Sequence, residues 1–439
     1  MVGKEKWIEL IKDFHEKPVP VLIERELSIP LEVPLKRAIS IIGPRRAGKT
    51  YTMYQLISLL LKNKIPFERV LYANFERTDL NGCNAADLDY MLESFYEIYP
   101  ENKKNKVWLF LDEIQNVEKW EKFVRTVIDY ENVQVFISGS SSKLLSREIA
   151  TSLRGRTITY SVFPFSFVDY LAAEKIKVKK YFSSSEKSVV INKLMDYLQD
   201  GGYPEVILYK KEKDKLLQDI IETTVYRDVI ERYKIRNIKL LKLLMKSLVS
   251  SSQKEFSVNK FYNFVKSTGV KASKNALYNY VNALNDVFFI FSLRKFSYSY
   301  KEAEQSLPKI YLIDNGLLTL NGINGQGRLM ENLVFIELMR RNKDVHYFRS
   351  VDNKETDFVV LEKNKAKQLI QVSFSLDDFN TKEREIKGLL KAGKELNCSN
   401  LLVITWGKEG EEKIKGKKIK YVVLWKWLLE NHSKNSEIA

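Results

Sequence analysis

Cysteine and histidine are nearly missing from this chain. Two cysteines, Cys83 and Cys398, and three histidines, His15, His346 and His432, stand among 439 residues. That excludes a disulfide scaffold and a Cys/His zinc module, and it fits a reducing compartment. No apolar run is long enough to cross a membrane without carrying charges. The opening Val2-Gly3-Lys4-Glu5-Lys6-Trp7 lacks the apolar core of a signal peptide, so a cytoplasmic protein with no membrane contact is expected. Acids are the scarcer charge: 56 Asp and Glu face 72 Lys and Arg, for a net charge of +16. A polyanionic partner, usually nucleic acid, explains such a surplus; so does a lysine-rich composition with no such partner. There is no internal repeat and no low-complexity tract. Hydrophobic residues at 44% and aromatics at 12% suffice for packed cores, and the length suggests two or three domains.

The most specific segment present is Gly43-Pro44-Arg45-Arg46-Ala47-Gly48-Lys49-Thr50. It fits the phosphate-loop pattern G-x-x-x-x-G-K-[ST] at every position. Ala38 to Ile42 before it reads as a buried strand. Tyr51 to Leu61 after it carries apolar residues at helical spacing. Two glycines let the backbone curl so that successive N–H groups face one anion at the positive end of a helix. Lys49 then reaches the β- and γ-phosphates of ATP, and the Thr50 hydroxyl can ligate Mg²⁺. The nucleotide contacts run from Gly43 through Tyr51.

Val107 to Leu111 is an apolar strand that ends in Asp112-Glu113. Acids at the carboxyl end of a doubly covered strand face a site there. In that reading Asp112 holds Mg²⁺, and Glu113 is the base for the water attacking the γ-phosphate. The alternative makes both acids dipole-favoured residues opening a helix. A third strand, 133–138, runs into Gly139-Ser140-Ser141-Ser142. Ser140 or Ser141 either senses the γ-phosphate or caps a helix beginning near Lys143. Arg154 and Arg156 flank Gly155, as a cationic finger for this or a neighbouring subunit or as a solvated surface pair.

Residues 1–37 read as a proline-broken lead-in, and 38–160 as an ATPase core with a parallel sheet. Residues 161–300 read as helical. Within them, 259–267 and 273–284 form a helix–turn–helix, followed by a wing-like strand near 288–291. Lys271, Lys274, Asn275 and Asn279, with Asn282, suit phosphates and base edges of DNA. A winged helix is equally able to contact protein. Residues 301–439 read as a separate α/β domain.

With these pieces in place the chain resembles a prokaryotic family of AAA-type ATPases. The resemblance rests on the phosphate loop, Leu111-Asp112-Glu113-Ile114-Gln115, the Ser138–Ser142 run, Leu153-Arg154-Gly155-Arg156, Gly201-Gly202-Tyr203-Pro204-Glu205 and Tyr311 to Leu318. It implies a P-loop, AAA+-like α/β sheet and a C-terminal α/β domain of PD-(D/E)XK, restriction-endonuclease-like fold, to either side of the helical, winged-helix middle read above. A nuclease site of that type needs a helix acid, a strand acid and then acid-x-Lys. Glu331 and Asp357 match the first two places. Gln371 and Ser373 occupy the last two, so the positive charge is expected to be lost and the site inactive. The resulting expectation is an ATP-hydrolysing, DNA-associated switch able to oligomerise, with a protein-remodelling or signalling switch as the alternative.

Overall fold

The computed structural model describes residues 2–140 and 155–430. Ser141, Ser142 and Arg154, singled out in the sequence, lie outside the described residues. The chain forms two compact units, one of residues up to Phe163 together with Asp286–Phe288, the other of Pro164–Asn285 and the chain from Phe289 on.

The first unit is built on five strands: β1 (Ala38–Ile42), β2 (Val70–Asn74), β3 (Val107–Asp112), β4 (Val133–Gly139) and β5 (Thr157–Ser161). They lie in the order β2-β3-β4-β1-β5, and every pairing is parallel. Parallel neighbours need helical crossovers, and the helices Lys49–Lys62, Ala85–Ile98 and Trp120–Tyr130 supply them. Every residue of β1 and β3 is buried, as continuous apolar runs in a covered sheet should be. Phe110 and Phe136 stack at 4.5 Å across β3 and β4.

Two elements of this unit differ from the sequence reading. The lead-in opens with a helix, Lys4–Glu16, in which only Trp7 and Ile11 are fully buried. Gly3 precedes it without a side-chain cap, but Trp7, Leu10, Ile11 and Phe14 fall at helical spacing, a stripe the sequence reading passed over for the prolines that follow. β5 was not expected as a strand. It is an edge strand with half-exposed residues, and it lacks the apolar run that marked the others.

The second unit begins with helices Phe167–Ala173 and Ser184–Asp200. Each is closed by a reciprocal capping box, Ser166 with Asp169 and Ser183 with Glu186. Helix Lys213–Thr223 continues into a π-helical stretch, Thr224–Glu231, and helix Ile238–Ser250 follows. Helices Val258–Ser267 and Lys274–Asp286 form the expected helix–turn–helix. The strand after them, β6 (Ile290–Leu293), pairs antiparallel with β7 (Lys309–Leu312). The boundary read at residue 300 therefore falls inside one compact unit.

A six-stranded mixed sheet completes it, from β8 (Asp344–Arg349), β9 (Glu355–Glu362), β10 (Lys365–Ser373), β11 (Leu401–Thr405), β12 (Gly410–Ile414) and β13 (Lys417–Val423), in the order β12-β13-β11-β10-β9-β8. β10, β11 and β13 run parallel, and the other pairings are antiparallel. Two motifs distant in sequence meet in this unit. Asp314 accepts from the Gly202 amide at 2.6 Å and from the Gly316 amide at 2.8 Å. A Cβ on Gly201 would lie 1.9 Å from the same carboxylate, and its φ of 80° already favours glycine.

Candidate nucleotide-binding site

The phosphate loop leaves the carboxyl end of β1 and enters the helix Lys49–Lys62. Gly48, at φ 95°, turns the chain into that helix, where a side chain would be strained. Gly43 meets a different constraint: a Cβ there would stand 2.1 Å from the Val162 carbonyl oxygen. Arg46 sits between them at φ 60°, an uncommon conformation for a side-chain-bearing residue. The loop is held from outside by Arg25, whose guanidinium donates to the Ala47 carbonyl at 2.9 Å and to the Phe163 carbonyl at 2.7 Å. The Gln55 side chain closes this clamp, accepting from the Arg25 amide and donating to its carbonyl. Sequence reading missed Arg25 because it lies in an irregular segment with no pattern of its own.

Lys49 is almost fully buried. Its ammonium donates to the Pro44 carbonyl at 3.2 Å and lies 3.4 Å from Oε1 of Glu113. Thr50 donates to Oδ2 of Asp112 at 2.7 Å. The Tyr72 hydroxyl reaches the same oxygen at 3.0 Å, and Ser138 donates to Oδ1 while accepting from the Glu113 amide at 2.9 Å. β2, β3 and β4 thus deliver Tyr72, Asp112 and Ser138 to one point, because parallel strands end together. Tyr72 carried no motif, and Ser138, though part of the Ser138–Ser142 run, was given no role of its own.

The two carboxylates are driven apart electrostatically. Burial, then the charge of Glu113, raises Asp112 above its ordinary range, against the Ser138 and Thr50 hydrogen bonds. Burial also pushes Glu113 upward, but the Lys49 ammonium, the Gln115 amide and Arg45 outweigh it and hold Glu113 below the usual range. Glu113 is therefore a charged carboxylate. Its backbone lies at φ 52°, which turns the chain sharply after the strand. Gln115, which donates to Glu113 Oε2, keeps its own buried Oε1 without a hydrogen-bond partner among the described residues. Ser140 Oγ, at the end of β4, is likewise buried and unpartnered among them.

A nucleotide with Mg²⁺ fits this donor set. The loop is shaped for an anion, a buried ammonium stands at its centre, and a hydroxyl–carboxylate pair suits a hard cation. Arg45 pairs with Glu76 at 2.8 Å beside the loop, and Tyr51 is exposed. Arg156 is elsewhere. Its carbonyl accepts from Ala38 at the start of β1, and its guanidinium lies 3.3 Å from Asp129. That is the amino-terminal edge of the sheet, about 13 Å along β1 from the phosphate loop at the usual strand rise. As a finger for this chain's own site the assignment is corrected, since strand direction sets the two ends apart.

In the C-terminal sheet, helix Gln326–Arg340 brings Glu331 and β9 brings Asp357 toward Gln371 on β10. The Gln371 amide donates to Asp357 Oδ2 at 2.8 Å and also to Glu385, an acid not anticipated. Ser373 instead donates to the Ser375 carbonyl at 2.8 Å. The expected loss of positive charge is corrected: buried Lys309, from β7, pairs with Glu355 and lies 3.9 Å from Glu331. No sequence spacing connects Lys309 to this cluster. It arrives on β7, which pairs with β6 and is bridged at Lys309 to Glu255. Burial raises both Glu331 and Asp357, against the attraction of Lys309.

Lys271, Lys274, Asn275 and Asn279 are all exposed, and so is Asn282. The structure brings the last four together along the outer face of helix Lys274–Asp286, with Lys271 in the turn before it. Lys274 stands 5.6 Å over the Tyr262 ring.

Comparison with known proteins finds matches along most of the chain. A family model described as an AAA domain matches residues 35–171. Two models described as domains of unknown function, DUF8612 and DUF4143, match 191–326 and 326–427. An uncharacterized protein of Methanocaldococcus jannaschii is 40% identical over 421 residues, covering 93% of this chain and 91% of its own length. One from Haemophilus influenzae is 29% identical, covering 88% and 93%. The solved Aeropyrum pernix ORC2 protein, in its ADP form, shares 12% identity with a TM-score of 0.33, covering 76% of this chain and 92% of that chain. The parallel sheet with its phosphate loop is a P-loop, AAA+-type fold, followed by a further α/β sheet domain. The chain belongs to the family of AAA-domain proteins that includes the M. jannaschii relative. Among the described residues no helix is long and apolar enough to cross a membrane.

Proposed function

We propose that this protein binds ATP with Mg²⁺, hydrolyses it, and uses the cycle to switch a contact with DNA. The arrangement that carries the reading is the meeting of Lys49, Thr50, Asp112, Glu113 and Ser138 at the carboxyl ends of β1, β3 and β4. In this reading the loop amides and Lys49 bind the phosphates, Thr50 and Asp112 hold the cation, and charged Glu113 accepts the proton of the attacking water. Mg²⁺ supplies charge neutralisation at the β- and γ-phosphates. Ser140, buried with no partner among the described residues, is the polar group for the γ-phosphate. Arg154 and Arg156 remain candidates for a finger acting on a neighbouring subunit.

DNA contact is supported by the exposed Lys271, Lys274, Asn275 and Asn279 on the helix–turn–helix, read as a winged helix. The nuclease-like reading of the C-terminal sheet as an inactive site is supported by Gln371, whose amide occupies the space between Asp357 and Glu385. The test is ATP hydrolysis by the purified chain with and without duplex DNA, together with salt-titrated binding. Neutralising Lys271 and Lys274 should lower the slope of log affinity against log salt by about two. An unchanged affinity and slope would leave the protein-partner switch as the better reading.

A further inference from the structure

From Thr224 to Asn285 the chain carries twelve Lys and Arg against three Asp and Glu, a surplus of nine in a chain whose total is +16. Helix Ile238–Ser250 of this stretch carries three lysines and no acid. Its inner face buries Leu240, Leu241, Leu244, Leu248 and Val249. Lys239, Lys242 and Lys246 are exposed at i, i+3 and i+7, one stripe of the outer face. None of the three is in an ion pair among the described residues. Lys242 instead stands 5.5 Å over the Tyr226 ring. The half-buried Lys382 and Lys408 of the same unit, by contrast, are both paired with Glu412.

We infer that this lysine stripe is a docking surface for the phosphate backbone of duplex DNA, separate from the residues of the Lys274–Asp286 helix. At 1.5 Å per residue the stripe is about 10 Å long, and one strand of B-form DNA places about three phosphates along that length. Three unpaired ammoniums therefore match three successive charges. Phosphate contacts position a duplex without reading its sequence, and lysine, a point charge on a flexible stem, suits that role. The stripe is also fixed to the helix–turn–helix. Asn237 caps the helix, accepting from the Leu240 amide at 3.0 Å, and donates to the Lys271 carbonyl at 3.0 Å. One side chain thus ties the start of the lysine helix to the turn that carries Lys271.

This inference rests on the DNA-binding reading above, and its test separates the two. The full chain with Lys239→Gln, Lys242→Gln and Lys246→Gln together is titrated with salt against a labelled random-sequence duplex. Glutamine keeps helix propensity, so the fold is preserved. The slope of log affinity against log salt should fall by about 2.7, with hydrolysis in the absence of DNA unchanged. The matching triple Lys→Arg variant should keep the wild-type slope. A wild-type slope in the triple Gln variant, while neutralised Lys271 and Lys274 do lower it, overturns the stripe alone. No duplex binding by the wild-type chain at low salt overturns both readings.

Discussion

Thr50 donates its hydroxyl hydrogen to Oδ2 of Asp112 across 2.7 Å, joining the first turn of the phosphate-loop helix to the end of β3. The two residues are 62 positions apart, and the bond sits where a divalent cation and a phosphate would compete for both groups. The chemistry expected of the site follows from this meeting.

Lys49→Ala removes the only ammonium among the described residues that stands inside the phosphate loop. ATP affinity or turnover should fall to background in a chain that still folds, with an unfolding midpoint lowered by the loss of the buried Glu113 pair. Isothermal titration with a non-hydrolysable analogue and a phosphate-release assay read both. Wild-type turnover would end the phosphate-loop assignment.

Glu113→Gln keeps the shape of the site and removes the base. ATP should bind with near-wild-type affinity, and turnover should drop by at least about a hundredfold. Gln115→Ala should lower turnover less, because it frees the Glu113 carboxylate from one hydrogen bond without removing it. A Glu113→Gln enzyme working at the wild-type rate would put the catalytic carboxylate elsewhere.

Asp314 gives the stability a pH dependence. Burial pushes its carboxyl up to about 7, against the Gly202 and Gly316 amides and the charges of Arg340 and Lys213. The folded state binds this proton more tightly than the unfolded chain. The group therefore favours folding at acid pH, and that contribution is lost as pH rises from about 4 to about 7. The loss is on the order of 4 kcal/mol at most. Urea unfolding at pH 5 and pH 8 should show the wild type losing more stability over the interval than Asp314→Asn, whatever the absolute stability of the variant. Equal losses in the two proteins would show that Asp314 titrates normally.

The purified chain should cleave no linear, supercoiled or single-stranded DNA with Mg²⁺ or Mn²⁺. Lys309 is engaged by Glu355 and Glu331, and the Gln371 amide fills the space between Asp357 and Glu385. Gln371→Glu combined with Ser373→Lys is the variant in which cleavage should appear if only those two groups were lost. Wild-type cleavage abolished by Asp357→Ala would make the protein an ATP-controlled nuclease.

The glycine spacing at Gly43 and Gly48 and the apolar runs ending at Ile42 and Asp112 were legible because each is a local demand. A loop that must curl around an anion needs residues without side-chain strain, and a strand covered on both faces needs uninterrupted apolar residues. The same locality made the exposed lysines and asparagines around Lys274 readable, since helical spacing alone groups them. Tyr72, Arg25 and Lys309 were not legible, and of Ser138 only the run it opens was. Each acts through a neighbour tens or hundreds of positions away, brought close by strand order or by the pairing of β6 with β7, and no local spacing gives that partner. Arg156 shows the converse, a suggestive local motif that β5 carries to the far edge of the sheet from the phosphate loop. Local sequence set the conformations and the kinds of chemistry, while tertiary structure chose which charges meet, because electrostatic partners are fixed by distance in space and not along the chain.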